Sequence, residues 1–422
     1  MAMTDKQTGS RLDPWVQAYA SRATSMRASE IRALFAVASR PEVVSLAGGM
    51  PFVEALDVDM FRGVVDSVLT KNAKIALQYG AGQGHVALRE SILGVMAPTA
   101  MTAHPDDIVI TAGSQMAIDL IVRVMCNPGD VILVESPSYV GALGVFRAYE
   151  ADIRHVAMDE NGLNPTALNE VITKVKSEGK KVKLLYTIPS FHNPAGITQP
   201  QSRRAEILAI AEKENVLIIE DDPYALLSFD GVIHRPMAAV EKERVVYCGS
   251  FSKIISAGLR IGWAVAPHAL REKLVLANEA ATLCPSNFTQ LIVDEYLRTQ
   301  DWLAQVGVFR NIYQERRDAL LGALKAQMPA GVSWTVPTGG FYSWLTLPTG
   351  FDATAMLPRA VTHLVAYVPG TGFYADGQGR SNMRLSFCYP PPERIIEGVN
   401  RLAAVVREEA ELLKTFGVGG NK

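Results

Sequence analysis

The chain has 422 residues, 48% of them hydrophobic, and its 41 lysines and arginines nearly balance 43 aspartates and glutamates for a formal charge of −2. That length is expected to fold as more than one domain, and the balanced charge supplies no global field to attract nucleic acid or an anionic membrane. The opening MAMTDKQTGSRLDPW has no apolar targeting core, no run approaches the roughly 18 apolar residues of a membrane span, and the four cysteines form no C-x-x-C pair, so small-molecule chemistry in a reducing cytoplasm is expected.

Residues up to about 40 are polar around one amphipathic stretch, Ile31 to Val37, which reads as an arm and a first helix. Val43-Val44-Ser45-Leu46 then runs into Gly48-Gly49-Met50-Pro51, where Gly49 either lets backbone approach a ligand or makes a plain turn. A second glycine-rich turn, Tyr79 to Gly84, leads into a helix carrying Leu88 and Ile92. Taken alone, its Tyr79 reads as core.

From Asp107 onward strand and helix patterns alternate. Ile108 to Thr111 is a β-branched run broken by Gly113, and Met116, Ala117, Leu120, Ile121 and Val124 then recur at helical spacing. Ser114 and Gln115 are thereby placed at a helix N-terminus, which suits an anion, although Ser114 could equally be a simple cap. Val131 to Val134 is the next strand and exposes Tyr139 past its end. Leu184 to Ile188 leads into Asn193-Pro194-Ala195-Gly196, and Val216 to Ile219 into Glu220-Asp221-Asp222-Pro223-Tyr224, where the acids are either a helix cap or a site.

Val245-Val246-Tyr247 is one more buried strand, and it delivers Ser250, Ser252, Lys253 and Arg260 on the turn beyond. Hydroxyls and a guanidinium suit a phosphate, and a lysine kept out of water has a lowered pKa and can attack a carbonyl. Phosphate and aldehyde together describe pyridoxal phosphate. An ordinary surface lysine is the bland alternative. Covalent serine chemistry of the S-x-x-K type lacks its Ser-Asp-Asn and Lys-Thr-Gly partners. Every candidate group lies just past the C-terminal end of a strand, the edge at which open parallel sheets bind ligands.

After Leu276 the pattern is helical and stops at Pro329. Val332 to Val336, Phe341 to Leu347 and Met383-Arg384-Leu385-Ser386-Phe387 then alternate like strands of a smaller α+β unit. A last helix buries Ile395, Val399, Leu402 and Val406 and stops near Gly417. No H-E-x-x-H spacing or P-loop occurs, and no metal is expected.

SFSKIISAGLR, the Asn193 to Gly196 turn, Asp221-Asp222-Pro223-Tyr224 and the strand around Arg384 resemble the class I/II aminotransferases of fold type I, nearest the 2-aminoadipate and kynurenine branch. The resemblance implies a mixed, mainly parallel α/β sheet flanked by helices plus a smaller α+β domain built from both termini. The expected division is 1–55 for the arm and part of the small domain, 56–310 for the large domain and 311–422 for the small one. It also implies a homodimer with composite sites.

Carried over, it makes Lys253 the lysine linked covalently to the cofactor and places Ser114, Gln115, Ser250, Ser252 and Arg260 around the phosphate. Asp221 would pair with the pyridine nitrogen, Asn193 and Tyr224 with the phenolic oxygen, and Tyr139 with the ring face. Arg384, with Asn193 and Gly49, would take the substrate carboxylate, Tyr79 would reach the partner's cofactor phosphate, and Arg32 a distal carboxylate. The implied activity is ping-pong transfer of an amino group from an amino acid to a 2-oxo acid, expected to be 2-oxoglutarate. A pyridoxal-phosphate lyase, decarboxylase or oxidase would use the same Lys253 and Asp221. A regulator domain needs a winged-helix module, for which the residues ahead of Gly48 are too few. His192, where the branch carries glutamine, and Ser256-Ala257, where it carries alanine-proline, depart from the pattern.

Overall fold

In the computed structural model, which describes residues 40–415 together with residues 15, 18–24 and 26, strand β1 (Val44–Ser45) lies outside the main sheet. That eight-stranded sheet takes β2 (Ile108–Thr111), β3 (Val131–Ser136), β4 (Asp152–Asp159), β5 (Gly162–Leu163), β6 (Val182–Thr187), β7 (Leu217–Asp221), β8 (Val245–Ser250) and β9 (Gly262–Val265). Its order is β2-β9-β8-β7-β6-β3-β4-β5. β4, β3, β6, β7 and β8 are parallel, whereas β9 is antiparallel to both of its neighbours and β5 to β4. The mixed, mainly parallel sheet is therefore present as expected.

Both faces are covered, which is why these strands read as continuous apolar runs. One face packs Val134, Tyr186, Ile219 and Cys248 against helices Ser114–Met125 and Val140–Ala148. The other packs Leu133, Leu185, Ile218 and Val245 in a core that includes Ile207 and Leu208 of helix Gln201–Glu214. Three strands outrun their apolar residues: β3 continues to Ser136, β7 to Asp221 and β8 to Ser250. Ladder pairing holds these polar ends in place, as in Asp221 opposite Cys248.

A four-stranded antiparallel sheet follows, built from β10 (Ser333–Trp334), β11 (Tyr342–Thr346), β13 (Val368–Pro369) and β14 (Asn382–Ser386) in the order β10-β11-β14-β13, while β12 (Val365–Ala366) pairs in parallel with β1. This β1–β12 pair brings residues near the start of the chain to the C-terminal third and carries the Gly48 to Pro51 loop to the main sheet's C-terminal edge. Helices Trp302–Gln327 and Pro392–Thr415 contribute Phe309, Leu320, Leu324, Leu402 and Val406 to the same core.

Behind that edge sits Arg204, fully buried on helix Gln201–Glu214. Its Nε donates to Gln199 O at 3.1 Å, Nη1 to Arg235 O at 3.2 Å, and Nη2 to Pro189 O at 3.1 Å and Ser190 Oγ at 3.0 Å, with Glu220 Oε1 at 3.9 Å. Removing one partner of a buried charge pair leaves the other uncompensated, at a cost of about 3–5 kcal/mol. Arg204→Met should therefore lower the unfolding free energy in urea by about that much. A loss below about 1 kcal/mol would show that the guanidinium is not a structural tie.

Candidate active site

A cleft of about 460 Å³ opens at the C-terminal edge of the main sheet. It is lined by Gly49, Ser114, Gln115, Tyr139, Asn193, Asp221, Tyr224, Ser250, Ser252, Lys253, Arg260 and Arg384, which the sequence pointed to one by one. Tyr79 is 75% exposed on the surface of the chain, and Arg32 lies outside the described residues.

The floor is an anion cradle. Helix Ser114–Met125 begins after Gly113, which has φ +83° and supplies no side-chain cap, and its first two residues, Ser114 and Gln115, line the cleft. Gly262 must be glycine here, since a Cβ would lie 2.5 Å from Ser114 N. Arg260 has left-handed backbone at φ +52°, and its Nη2 donates to Ala112 O at 2.9 Å. Its Nη1 lies 3.5 Å from Ser252 Oγ, and Ser250 Oγ donates to Ser252 Oγ at 2.9 Å. The Ser256 hydroxyl accepts from Gly258 N at 3.3 Å and caps the short turn leading to Arg260. Gln115 Nε2 donates to Gly141 O at 2.9 Å, tying two helix starts together.

Lys253 stands over this cradle, half-buried, with Nζ donating to Gly49 O at 2.9 Å. Burial lowers its pKa to about 8, Arg384 and Arg260 push the same way, and Cys388 and Asp221 oppose them. Near neutral pH a useful fraction is then free amine. Asp221, 3% exposed, accepts from Tyr186 Oη at 2.8 Å through Oδ2, while Oδ1 is buried without a hydrogen-bond partner. Burial raises its pKa to about 7 against the pull of Tyr186, Lys253 and Ser114. Asp222 turns to the opposite side, toward Ser190 and Tyr247, and caps no helix.

The far wall belongs to β14 and β11. Arg384 Nη1 donates to Asn193 Oδ1 at 3.0 Å and Nη2 to Ala47 O at 2.7 Å, and its buried Nε has no partner. The guanidinium is stacked 4.2 Å above the Tyr342 ring. Tyr224 is buried, edge-on to Phe341 and Tyr342 at 5.4 and 6.2 Å, and burial holds its hydroxyl protonated well above the ordinary range. Tyr139 is a half-buried ring beside Gly141, whose Cβ would lie 2.5 Å from it.

The residues present fit pyridoxal phosphate. The cradle matches its phosphate, the orphaned Asp221 Oδ1 its pyridine N–H, and the depressed lysine its aldehyde. Sequence reasoning missed Tyr342, Tyr186 and Glu135, the last buried behind the Asn193 turn. Glu135 alone left a signal, as an acid ending the Val131 to Val134 run. Among the described residues no cluster of His, Cys, Asp and Glu is placed to hold a metal, and no helix is long and apolar enough to cross a membrane.

Residues 57–402 match the family Aminotransferase class I and II. The chain is 42% identical to the aromatic-amino-acid aminotransferase 1 of Thermococcus litoralis over 93% of its length and 94% of that protein. It is 34% identical to the 2-aminoadipate transaminase of Thermus thermophilus, covering 93% and 97%. The kynurenine aminotransferase of Pyrococcus horikoshii, solved in complex with PMP, superposes with a TM-score of 0.89 at 39% identity over 93% of this chain and 98% of that one. The chain belongs to the class I and II aminotransferases, enzymes that use pyridoxal phosphate.

Proposed function

We propose that this aminotransferase takes both acidic and bulky apolar or aromatic L-amino acids as donors and 2-oxoglutarate as acceptor, with Lys253 as the proton-transferring amine. The orphaned Asp221 Oδ1 facing the same cleft as Lys253 carries the reading. The relatives that act on aromatic amino acids, 2-aminoadipate and kynurenine support the breadth of donors.

Bound in the cleft, pyridoxal phosphate supplies an aldehyde and an electron-withdrawing ring that stabilises negative charge at the donor's α-carbon. Asp221 Oδ1 accepts from the pyridine N–H and keeps that nitrogen protonated. Asn193 and Tyr224 donate to the phenolic oxygen, and Tyr139 covers the ring. The helix start at Ser114 and Gln115, with Ser250, Ser252 and Arg260, holds the phosphate. Arg384, already fixed by Asn193, Ala47 and Tyr342, presents its guanidinium to the α-carboxylate beside Gly49. Lys253 Nζ would lift the donor's α-proton and return it two atoms along, to the carbon that carried the cofactor's aldehyde, one group acting first as base and then as acid. Arg32 on the N-terminal arm would meet a distal carboxylate and turn away from an apolar side chain.

A homodimer completes the site in this reading. Leu77 and Tyr79 are 73% and 75% exposed, an apolar surface suited to a second copy in which Tyr79 reaches the partner's phosphate. The cytoplasm fits four unpaired cysteines, two of them buried.

Donor turnover should require a 2-oxo acid and yield one new amino acid per donor consumed, and Arg32→Ala should raise KM for a dicarboxylate donor by more than for an aromatic one. Release of ammonia or CO₂ without acceptor would identify a lyase, oxidase or decarboxylase instead.

Asp221→Asn should cost far more activity than Asp222→Asn, because only Asp221 faces the ring. The cofactor-free proteins give a second readout. A carboxylate whose folded pKa is raised to about 7 stabilises the fold while protonated and loses that contribution as pH rises from about 4 through 7. Asp221→Asn should therefore flatten the fall in Tm between pH 5 and 8 and stabilise the cofactor-free protein at pH 8 by on the order of 4 kcal/mol. Equal activity losses at both positions, or an unchanged pH slope, would contradict the assignment.

A further inference from the structure

Asn193 is held by a residue that touches neither cleft nor ligand. His192 and Glu135 are 1% and 0% exposed behind the Asn193-Pro194-Ala195-Gly196 turn. Ala195 N donates to His192 Nδ1 at 3.2 Å, so that nitrogen carries no proton and the ring's single proton sits on Nε2. Nε2 in turn lies 2.9 Å from Glu135 Oε2, an electrostatic contact off the line of a hydrogen bond.

Glu135 is itself fixed from three sides. Its carboxylate accepts from Thr187 Oγ1 at 2.6 Å, Ile188 N at 2.9 Å and Gln199 Nε2 at 2.8 Å. The turn closes on the histidine backbone, with His192 N donating to Ile197 O at 2.8 Å and Gly196 N to His192 O at 2.6 Å. The imidazole thus bridges the turn to β3 and the end of β6. On the turn's other side, Arg384 can only donate, so Asn193 must show it the amide oxygen and leave its NH₂ for the cleft.

We propose that His192, as the neutral Nε2–H tautomer braced on Glu135, is a positioning residue that acts through Asn193. It sets the turn so that the Asn193 oxygen meets Arg384 and its NH₂ meets the cofactor's ring oxygen. The proposal rests on the role given to Asn193 above. A shift of the order of 1 Å at such a support can cost roughly a hundredfold in rate.

The test measures kcat and KM for one donor, together with the pH midpoint of the bound cofactor's absorbance change, in holoenzyme variants of matched melting temperature. Asn193→Ala should raise the midpoint by withdrawing a donor from the phenolic oxygen. His192→Leu should move it the same way and lower kcat/KM roughly ten- to hundredfold, while adding little to Asn193→Ala. His192→Gln, whose NH₂ can still face Glu135, should recover most of the loss. Glu135→Gln keeps the shape and should shift the midpoint in the same direction, which keeps the proposal testable if His192→Leu does not fold. An unmoved midpoint in His192→Leu or Glu135→Gln, alongside a shifted one in Asn193→Ala, overturns the strut alone. An unmoved midpoint in Asn193→Ala overturns the role of Asn193 as well.

Discussion

Three consecutive carboxylates, Glu220 and Asp221 at the end of strand β7 and Asp222 just past it, are 0%, 3% and 4% exposed, and much of the site's surroundings answers the cost of burying them. Strand alternation divides the problem, since successive side chains leave on opposite faces. Glu220 accepts from Met237 N at 2.8 Å and Ala238 N at 2.9 Å, with Arg204 near, and Asp222 shares its side of the sheet. Asp221 goes alone to the other face, where Tyr186 satisfies one oxygen and the second waits in the cleft. Burial pushes Glu220 and Asp221 up to about 7. A fold built for stability alone would place apolar residues here.

The same edge gathers the opposite charges. Lys253, Arg260 and Arg384 converge from the turn after β8, the turn before β9, and β14, and each is tied to backbone oxygen: Gly49 O, Ala112 O and Ala47 O. Two of these three anchors belong to the loop that follows β1, so the small β1–β12 pairing helps to aim both the lysine and the arginine. Positioning by backbone carbonyls leaves the cations' remaining hydrogen-bonding capacity for ligands.

Lys253, Asp221, Asn193 and Ser114 were legible because each follows an apolar run at a strand end, where a polar group must either cap or serve. Gly262 and Gly141 were not, because their need is a close approach between segments far apart in sequence. Tyr342 and Tyr186 were hidden inside strands, where an aromatic reads as core, and which face a hydroxyl takes depends on register. β9, Gly-Trp-Ala-Val, has a single β-branched residue and so no run to read, and β4, with its polar Arg154 and His155, lacks the continuous apolar run of its neighbours. Strand ends ran past the apolar residues because ladder bonds do not require apolar side chains. Ser256 offers its hydroxyl as a cap to the turn that leads to Arg260, a role its place in the sequence did not announce.

The central claim is that Lys253 is the amine at the reacting centre, and reduction of the purified holoenzyme with borohydride tests it most directly. Peptide mapping should find the reduced cofactor on the Phe251-Ser252-Lys253 segment and nowhere else, and Lys253→Ala should still bind cofactor without forming that adduct. A stable adduct on any other lysine, or an undiminished yield in Lys253→Ala, would contradict the account.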